Sequence, residues 1–229
     1  MRLADTDGGG PPDEMTAGGT AQPAGSAIDA VHRSHLARPE IEMSAPGMND
    51  GTWAITASRH IVRDRWLSIR ADDCVTPSGA EIAPYYLVES RDFVHTLAFD
   101  ASDRAILVRQ YRHGYAGLTL ELPGGIMDEG ETDIVQAAIR ELSEETGFSG
   151  GTARHRVSLS PDPGRYTNRV HLVLAEGVAP GRASPEPTED IEIVLTPRAE
   201  LAALACSGAV TNAGHVGFIL LALASGIGF

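Results

Sequence analysis

Residues 140–147 constrain this chain more than any other segment, because they place three carboxylates close together on one predicted helix. Their sequence is Arg140-Glu141-Leu142-Ser143-Glu144-Glu145-Thr146-Gly147. Residues three and four apart share a helix face, so Glu141 lines up with Glu144 and Glu145 while Leu142 turns towards the core. Like charges at this spacing repel each other, and we therefore expect a compensating cation beside them.

The surrounding residues predict one amphipathic helix over residues 132–146. Thr132 or Asp133 can cap its first turn, and Gly147 is suited to end it. Apolar side chains recur at the spacing of one helix face, at Ile134, Ala137, Ala138 and Leu142. The pattern predicts a helix that packs this apolar stripe on a core and keeps the glutamates beside it.

A divalent cation would relieve the repulsion between the glutamates. Mg²⁺ prefers hard oxygen ligands and usually takes one or two carboxylates, together with water and phosphate oxygens. We therefore predict a Mg²⁺ site, which Mn²⁺ could also occupy, at Glu141, Glu144 and Glu145. The alternative is a solvated acidic surface, but here the cluster closely follows the glycine-rich stretch Leu122-Pro123-Gly124-Gly125.

The charge balance excludes one class of partner. The chain of 229 residues has 31 acidic side chains and 18 basic ones, all arginine, for a formal net charge of -13. A protein that binds nucleic acid without sequence specificity needs a basic surface, so we predict no nucleic-acid partner. An anionic small substrate would need local help from metal ions and arginines.

Cysteine usage and hydropathy predict a cytoplasmic protein with no membrane partner. Cys74 and Cys206 are far apart in sequence and have no metal-ligand spacing, so we predict two buried free thiols in a reducing compartment. The longest apolar run, residues 217–224, is far below the roughly 18 residues of a spanning helix.

The remaining pattern divides the chain into three parts. Residues 1–50 are rich in glycine and proline and predict a disordered tail. Residues 51–91 predict three strands, at residues 58–63, 66–74 and 81–89, that form a small N-terminal annex, and residues 92–229 predict a larger domain. Its strands, the glutamate helix, further strands and two final helices, at residues 197–205 and 213–224, predict an α+β fold in the form of a mixed α/β/α sandwich.

The glutamate segment resembles the signature of the Nudix hydrolase superfamily, G-x5-E-x7-R-E-U-x-E-E-x-G-U, where U is a bulky aliphatic residue. Gly125 and Glu131 match the first interval, and residues 140–148 match the second half closely. Eight residues instead of seven separate Glu131 from Arg140. We expect the extra residue at the loop-to-helix junction around Thr132 and Asp133, because an insertion within the helix would rotate everything after it.

The resemblance implies roles for individual residues in a Nudix fold. Glu141 and Glu145 would be catalytic metal ligands, and Glu144 a ligand directly or through water. Gly124 and Gly125 would form the loop that approaches a pyrophosphate closely, since they lack a Cβ. Arg140 and Glu131 would support the site. The implied reaction is attack of water on one phosphorus of a pyrophosphate bond.

The likeness extends over residues 53–223 and is to the ADP-ribose pyrophosphatase and nucleoside-diphosphate-sugar branch of the superfamily. It is carried by Tyr85-Tyr86, by Leu107-Val108-Arg109-Gln110-Tyr111-Arg112-His113-Gly114 and by Leu120-Glu121-Leu122-Pro123-Gly124-Gly125. It implies hydrolysis of ADP-ribose or a related nucleotide sugar to a nucleoside monophosphate and a sugar phosphate. It also implies a homodimer in which the N-terminal annex pairs two subunits.

The remaining candidates surround the glycine loop. Arg112 could contact a substrate phosphate, since a guanidinium binds phosphate through two nitrogens, although it could equally be structural. Glu121 could support metal or substrate. Relatives often draw the general base from a loop like residues 181–190, which offers Glu189 and Glu186, and we favour Glu189 because it lies at the entrance of the next strand.

The same sequence features are also compatible with a second function. A chain with this fold could bind a nucleotide sugar as a sensor without cleaving it. The complete set of glutamates favours the enzyme, because a binding protein gains nothing from keeping repelling carboxylates together. GDP-mannose, UDP-sugars, NADH and dinucleoside polyphosphates remain rival substrates.

Overall fold

The computed structural model describes residues 51–224. The tail predicted for residues 1–50 therefore lies outside the described residues. The strands are β1 (Ala54–Arg63), β2 (Ser68–Val75), β3 (Glu81–Glu89), β4 (Phe93–Asp100), β5 (Arg104–Arg112), β6 (Gly117–Glu121), β7 (Gly124–Ile126), β8 (Thr152–Leu159), β9 (Val170–Val178) and β10 (Glu192–Pro197). The helices are α1 (Ile134–Thr146), α2 (Leu201–Cys206) and α3 (Ala213–Ala224), with a 3-10 turn at Arg198–Glu200.

The N-terminal strands form a separate antiparallel sheet in the order β1-β2-β3. Trp66, predicted to begin the second strand, lies in the turn before it and is 79% exposed. The sheet contacts the rest of the chain through β3, where the Val88 amide donates to the Arg165 carbonyl and the Val88 carbonyl accepts from Thr167. Backbone hydrogen bonds thus join the annex to the loop that precedes β9.

The main sheet has seven strands, with β10-β5-β4-β9-β8 as its path, β6 paired to β5 and β7 paired to β4. Strands β4 and β9 run parallel, and the other pairings are antiparallel. The continuous apolar run in β5 is typical of a strand buried on both faces. Ala105, Ile106, Leu107 and Val108 are indeed all buried.

Helices cover both faces of this sheet, as the alternation of side chains along β4 shows. Val94 and Ala98 face α1, packing in clusters with Ala138 and Leu142. Leu97 and Phe99 point the other way, into a larger cluster with α2 and α3 that includes Leu201, Phe218 and Ile219. Successive strand residues point to opposite faces, so one strand contributes to both cores. The predicted α/β/α sandwich is confirmed.

Several boundaries differ from the sequence prediction. Pro197 ends β10 instead of starting a helix, and the predicted helix over residues 197–205 is a 3-10 turn followed by α2. Strands β6 and β7 were not predicted. Strand β7 begins with Gly124 and Gly125, and two successive glycines are more typical of a loop. Cys74 is a buried free thiol, but Cys206 is exposed, which corrects the prediction that both are buried.

Both ends of α1 are capped, and the helix between them is regular. Asp133 is the N-cap, and its carboxylate accepts from the amides of Val135 and Gln136. Gly147 ends the helix in the left-handed conformation, with φ of 74°. Residues 132 and 133 thus precede a regular helix, and the register of the glutamates is undisturbed. None of the helices within residues 51–224 is long and apolar enough to cross a membrane.

Candidate active site and metal centre

The glycine loop, residues 122–125, leads from the end of β6 into the first two residues of β7. Glu121, at the end of β6, is buried and bound by Arg112. The Pro123 carbonyl accepts from the Thr96 amide at 2.8 Å, and the Gly124 amide donates to Glu145 Oε2 at 3.0 Å. The last of these bonds joins the loop directly to the glutamate helix.

Both glycines of the loop are required by close approach. A Cβ on Gly124 would lie 2.0 Å from the Val94 carbonyl oxygen, so the loop can pack on β4 only without one. A Cβ on Gly125 would lie 2.6 Å from Glu141 Oε2, so this glycine makes room for a carboxylate. Sequence reasoning assigned this lack of a Cβ to a pyrophosphate, whereas the contacts in the structure are with β4 and with Glu141.

The three glutamates of α1 differ in how deeply their side chains are buried. Glu145 is 5% exposed and lies on the buried face with Leu142. Glu141 is mostly buried against Gly125. Glu144 points outward, with 46% of its side chain exposed. The helix spacing brings them near one another, but packing on the sheet gives each carboxylate a different environment.

Arg140 is the counter-ion of this cluster. Its guanidinium donates to Glu131 at 3.1 Å and, through Nη1, to Glu141 and Glu144 at 3.0 Å each. Burial alone would lower the pKa of Arg140, but these carboxylates raise it well above its ordinary value. Glu131 also accepts from the Asp128 amide, which ties the preceding turn to Arg140. The pairing of Glu131 with Arg140 is therefore present in spite of the extra residue between them.

Two carboxylates of the cluster are poorly compensated by their surroundings when they are charged. Burial raises the pKa of Glu145 to about 8, with Glu189 and Glu141 adding to the effect and the Gly124 amide opposing it. Burial also raises the pKa of Glu141; Arg140 opposes this shift, and the charges of Glu144 and Glu189 add to it. A group with a raised pKa has a carboxylate that is poorly compensated by its surroundings.

This donor set fits a hard divalent cation. Buried carboxylate oxygens with uncompensated charge are what such an ion stabilises, and glutamate oxygens suit Mg²⁺ or Mn²⁺. Within residues 51–224, no three histidine, cysteine, aspartate or glutamate side chains already converge as a ligand group. Arg140 Nη1 holds Glu141 and Glu144 instead. These two carboxylates would have to turn from Arg140 to join Glu145 on one ion.

Arg112 and Glu121 form a two-bond ion pair beside the loop. Arg112 Nε and Nη2 donate to the two Glu121 oxygens at 2.9 and 2.6 Å, and Thr119 donates to the first of these at 2.6 Å. Burial acts to raise the pKa of Glu121, but the bonds from Arg112 and Thr119 bring it below its ordinary value. These two bonds use Nε and Nη2 of Arg112 and leave Nη1 outside the pair.

The loop of residues 181–190 returns to the glutamate helix. Its Ser184 amide donates to the Glu144 carbonyl at 2.8 Å, and a Cβ on Gly147 would collide with Ala183. Glu186 and Glu189 close one turn, in which the Glu186 amide donates to Glu189 Oε2. Besides burial, the charge of Glu189 raises the pKa of both Glu141 and Glu145, so Glu189 lies within electrostatic range of the cluster.

Sequence reasoning missed three polar residues at the site. Thr96, His95 and His215 contact the glycine loop, and none of them was among the residues that the sequence singled out. Thr96 and His95 sit inside an apolar strand, and His215 is more than 90 residues from the loop. The one sequence feature that could have indicated them is the presence of polar residues within the otherwise apolar strand β4.

Comparison with known proteins identifies the two parts of the chain. Residues 90–210 match the family model described as the NUDIX domain. Residues 53–88 match the one described as the nucleoside diphosphate sugar hydrolase N-terminal domain. A solved structure of an ADP compounds hydrolase superimposes with a TM-score of 0.68 at 24% identity, covering 76% of this chain and 96% of that one. This last likeness concerns the fold alone.

Curated relatives cover much of the chain. An ADP-ribose pyrophosphatase from Mycobacterium tuberculosis is 33% identical over 71% of this chain and 79% of its own length. A CMP-5'-(N-acetyl-N-hydroxy-3-aminopropyl)phosphonate hydrolase from Streptomyces rubellomurinus is 30% identical over 76% and 84%. A putative nudix hydrolase 2 from Caenorhabditis elegans is 40% identical over 54% and 58%, so the chain spans just over half of that relative.

The raised pKa of Glu145 predicts a pH-dependent stability in metal-free protein. Because this pKa is about 8 in the folded state and 4.5 ordinarily, folding retains a proton between these values. The contribution is complete below the ordinary pKa and is lost as the pH rises, by up to about 1.4 kcal/mol per pH unit. Glu145→Gln stays neutral and can still accept from Gly124, so it lacks this loss.

Thermal unfolding in EDTA at pH 5.5, 6.5 and 7.5 tests this prediction. The melting temperature of Glu145→Gln minus that of the wild type should grow with pH. A divalent cation should stabilise the wild type most at pH 7.5, because it compensates the charged carboxylate. Parallel pH curves for the two proteins would contradict the assigned environment of Glu145.

Proposed function

The chain belongs to the Nudix hydrolase family, and on that premise we propose that it hydrolyses the pyrophosphate bond of ADP-ribose or a related nucleoside diphosphate sugar. The products would be a nucleoside monophosphate and a sugar phosphate. Two contacts carry this proposal: the hydrogen bond from the Gly124 amide to Glu145 and the close approach of Gly125 to the Glu141 carboxylate. They put the backbone of the glycine loop in contact with two buried carboxylates that are suited to a divalent cation.

The comparisons support the class of substrate. The model matched by residues 53–88 is described as the nucleoside diphosphate sugar hydrolase N-terminal domain, and the Mycobacterium tuberculosis relative as an ADP-ribose pyrophosphatase. A nucleotide sugar whose two phosphates form the scissile anhydride agrees with these descriptions, and ADP-ribose is our first choice.

Glu141, Glu145 and Glu144 would hold Mg²⁺ in this proposal, and Mn²⁺ could replace it. When bound, the cation would neutralise charge on the pyrophosphate oxygens and make water a better nucleophile. The part played by Arg140 is to keep Glu141 and Glu144 together when their charges are otherwise uncompensated. Gly124 holds Glu145 through its amide, so that the carboxylate keeps one orientation.

Glu189 is our choice for the general base. The attacking water forms a bond to one phosphorus, the bridging P–O bond breaks, and the proton of the water must be accepted by a nearby group. Glu189 lies within electrostatic range of Glu141 and Glu145, and the turn with Glu186 orients its carboxylate. Glu186 supports this turn through its backbone.

Arg112 and Glu121 would bind the substrate as a unit. Glu121 uses both oxygens on Arg112 and Thr119, which favours an indirect role for it. The two bonds to Glu121 thereby hold the Arg112 guanidinium in one orientation and leave its Nη1 outside the ion pair. A guanidinium fixed in this way could donate to a phosphate oxygen of the substrate without further loss of side-chain freedom.

The activity is tested with a panel of ADP-ribose, GDP-mannose, UDP-glucose, NADH and a dinucleoside polyphosphate in the presence of Mg²⁺. Release of nucleoside monophosphate is measured, and ADP-ribose is expected to be cleaved best. Glu145→Gln and Glu141→Gln should each lower kcat by about 100-fold or more, because each removes a charge that holds the cation. The exposed Glu200→Gln is the matched control and should behave as wild type.

The same panel decides between the enzyme and the sensor. If no compound is cleaved while ADP-ribose raises the melting temperature, the chain is a binding protein and the proposed activity is wrong. Full activity of Glu145→Gln would instead reject the metal assignment and leave the hydrolase in place.

The general base is tested by Glu189→Gln with Glu186→Gln as its matched control from the same turn. Glu189→Gln should lower kcat by about 100-fold while leaving KM nearly unchanged, since a lost base affects the chemical step. Glu186→Gln should retain most activity, because its contribution is through backbone atoms. The reverse order of the two variants would transfer the role to Glu186.

We also propose that the annex joins two subunits into a homodimer. Strand β1 forms an edge of its sheet and is exposed along most of its length. Exposed apolar side chains accompany it at Ile61, Trp66 and Leu67. An exposed strand edge with apolar neighbours is suited to pairing with a second chain.

Sedimentation of the wild type and of Ile61→Glu/Trp66→Glu at micromolar concentration tests the dimer. The wild type should sediment as a dimer, and the double variant should shift towards monomer, since two buried charges would disfavour the interface. Leu118→Glu, which alters an exposed residue of β6, is the control. A monomeric wild type, or dissociation by Leu118→Glu alone, would contradict an interface at the annex.

A further inference from the structure

Two histidines from distant parts of the chain meet beneath the glycine loop. His95 lies in β4, and His215 lies in the first turn of α3 and is 1% exposed. His215 Nε2 is 3.2 Å from His95 Nδ1, and the two rings meet edge to face with 4.3 Å between their centroids. A Cβ on Gly124 would lie 2.9 Å from His95 Nδ1, so the loop rests directly on this pair.

A backbone amide determines the protonation of both rings. The Leu122 amide donates to His215 Nδ1 at 3.2 Å, and since an amide can only donate, Nδ1 carries no proton. The proton of neutral His215 is therefore on Nε2 and is donated to His95 Nδ1. The proton of His95 must then be on its own Nε2. Burial agrees with two neutral rings, because it lowers the pKa of His215 to about 4 and that of His95 well below its ordinary value.

The pair holds one side of a loop whose other side is held by α1. His95 has the same parity along β4 as Leu97, which faces α3, whereas Thr96 faces α1 and donates through its hydroxyl to the Ala138 carbonyl. Thr96 also donates its amide to Pro123. The loop is thus bonded from both faces of the sheet within a few residues.

We propose that His215 is a positioning residue, which acts through Leu122 and His95 to hold the glycine loop where the Gly124 amide can bind the Glu145 carboxylate. Its catalytic consequence rests on the hydrolysis proposed above, but its effect on the loop does not. Helix α3 gives His215 a firm base, because Phe218 and Ile219 of the next turn are buried in the core. Without the imidazole acceptor, the buried Leu122 amide loses its partner and the loop its attachment to α3.

Amide hydrogen exchange and histidine NMR test the structural part without any substrate or metal. Long-range ¹H–¹⁵N spectra of the wild type should show His215 and His95 as Nε2–H tautomers. In His215→Leu, which keeps much of the volume but no acceptor, exchange of both the Leu122 and Gly124 amides should accelerate by about tenfold or more. In His215→Asn, Oδ1 can replace Nδ1 as the acceptor, so both amides should stay close to wild type.

Three results would overturn the proposal. The first is an Nδ1–H tautomer for His215 in the wild type. The second is unchanged exchange of the Leu122 amide in His215→Leu, and the third is faster exchange at Leu122 with no change at Gly124. If His215→Leu does not fold, His215→Asn decides the question, because protected amides there support the acceptor role and exposed amides reject it.

Kinetics with the best substrate of the panel test the catalytic consequence. At a temperature where circular dichroism shows all variants folded, His215→Leu should lower kcat by about tenfold or more with KM within about threefold, and His215→Asn should recover most of kcat. His113→Gln, an exposed histidine of the β5–β6 turn, is the matched control. Wild-type kcat in His215→Leu would reject the positioning role. If the wild type cleaves nothing, the proposed activity fails and the exchange data alone decide the role of the pair.

Discussion

Repulsion between Glu141, Glu144 and Glu145 is the constraint around which the site is organised. A helix that carries three carboxylates within two turns is unfavourable unless other groups compensate the charge. Arg140 compensates Glu141 and Glu144. Glu145 faces the sheet, where the Gly124 amide is its hydrogen-bond donor. The compensation is incomplete: burial raises the pKa of Glu145, and the charges of Glu189 and Glu141 add to this shift. The same imbalance that costs stability makes the cluster suitable for a cation.

Strand β4 transmits this constraint to the rest of the fold. Its alternating side chains contribute to both cores, and its backbone pairs with β5, β7 and β9. Because Gly124 packs on Val94 without a Cβ, the glycine loop follows the position of β4 closely. The helix with the glutamates and the helix with His215 lie on opposite faces of the same strand. The site is thus assembled at one point of the sheet from elements that are far apart in sequence.

Local patterns predicted the elements that depend on near neighbours in the chain. The register of α1, a cap at Thr132 or Asp133, the end at Gly147 and the buried strand β5 all follow from spacing and composition, and the structure places the cap at Asp133. The pairing of Arg112 with Glu121 did not follow, since it depends on the register of β5 with β6. Nor did the division of the glutamates into buried Glu145 and exposed Glu144, which depends on the angle at which α1 packs. Trp66 and Pro197 were misplaced because turn and strand ends depend on pairing partners.

The sequence by itself determined the chemistry that this protein can offer: hard carboxylate oxygens at helical spacing, a glycine loop before them and an acidic loop after them. These features arise from residues close together in the chain, where helix geometry and side-chain chemistry are sufficient. Only the tertiary structure decided which carboxylate is buried, which arginine opposes which glutamate, and that His215 reaches the amide of Leu122. Contacts of this kind depend on how sheet and helices pack, and no local pattern encodes the distance between residues that are joined only by folding.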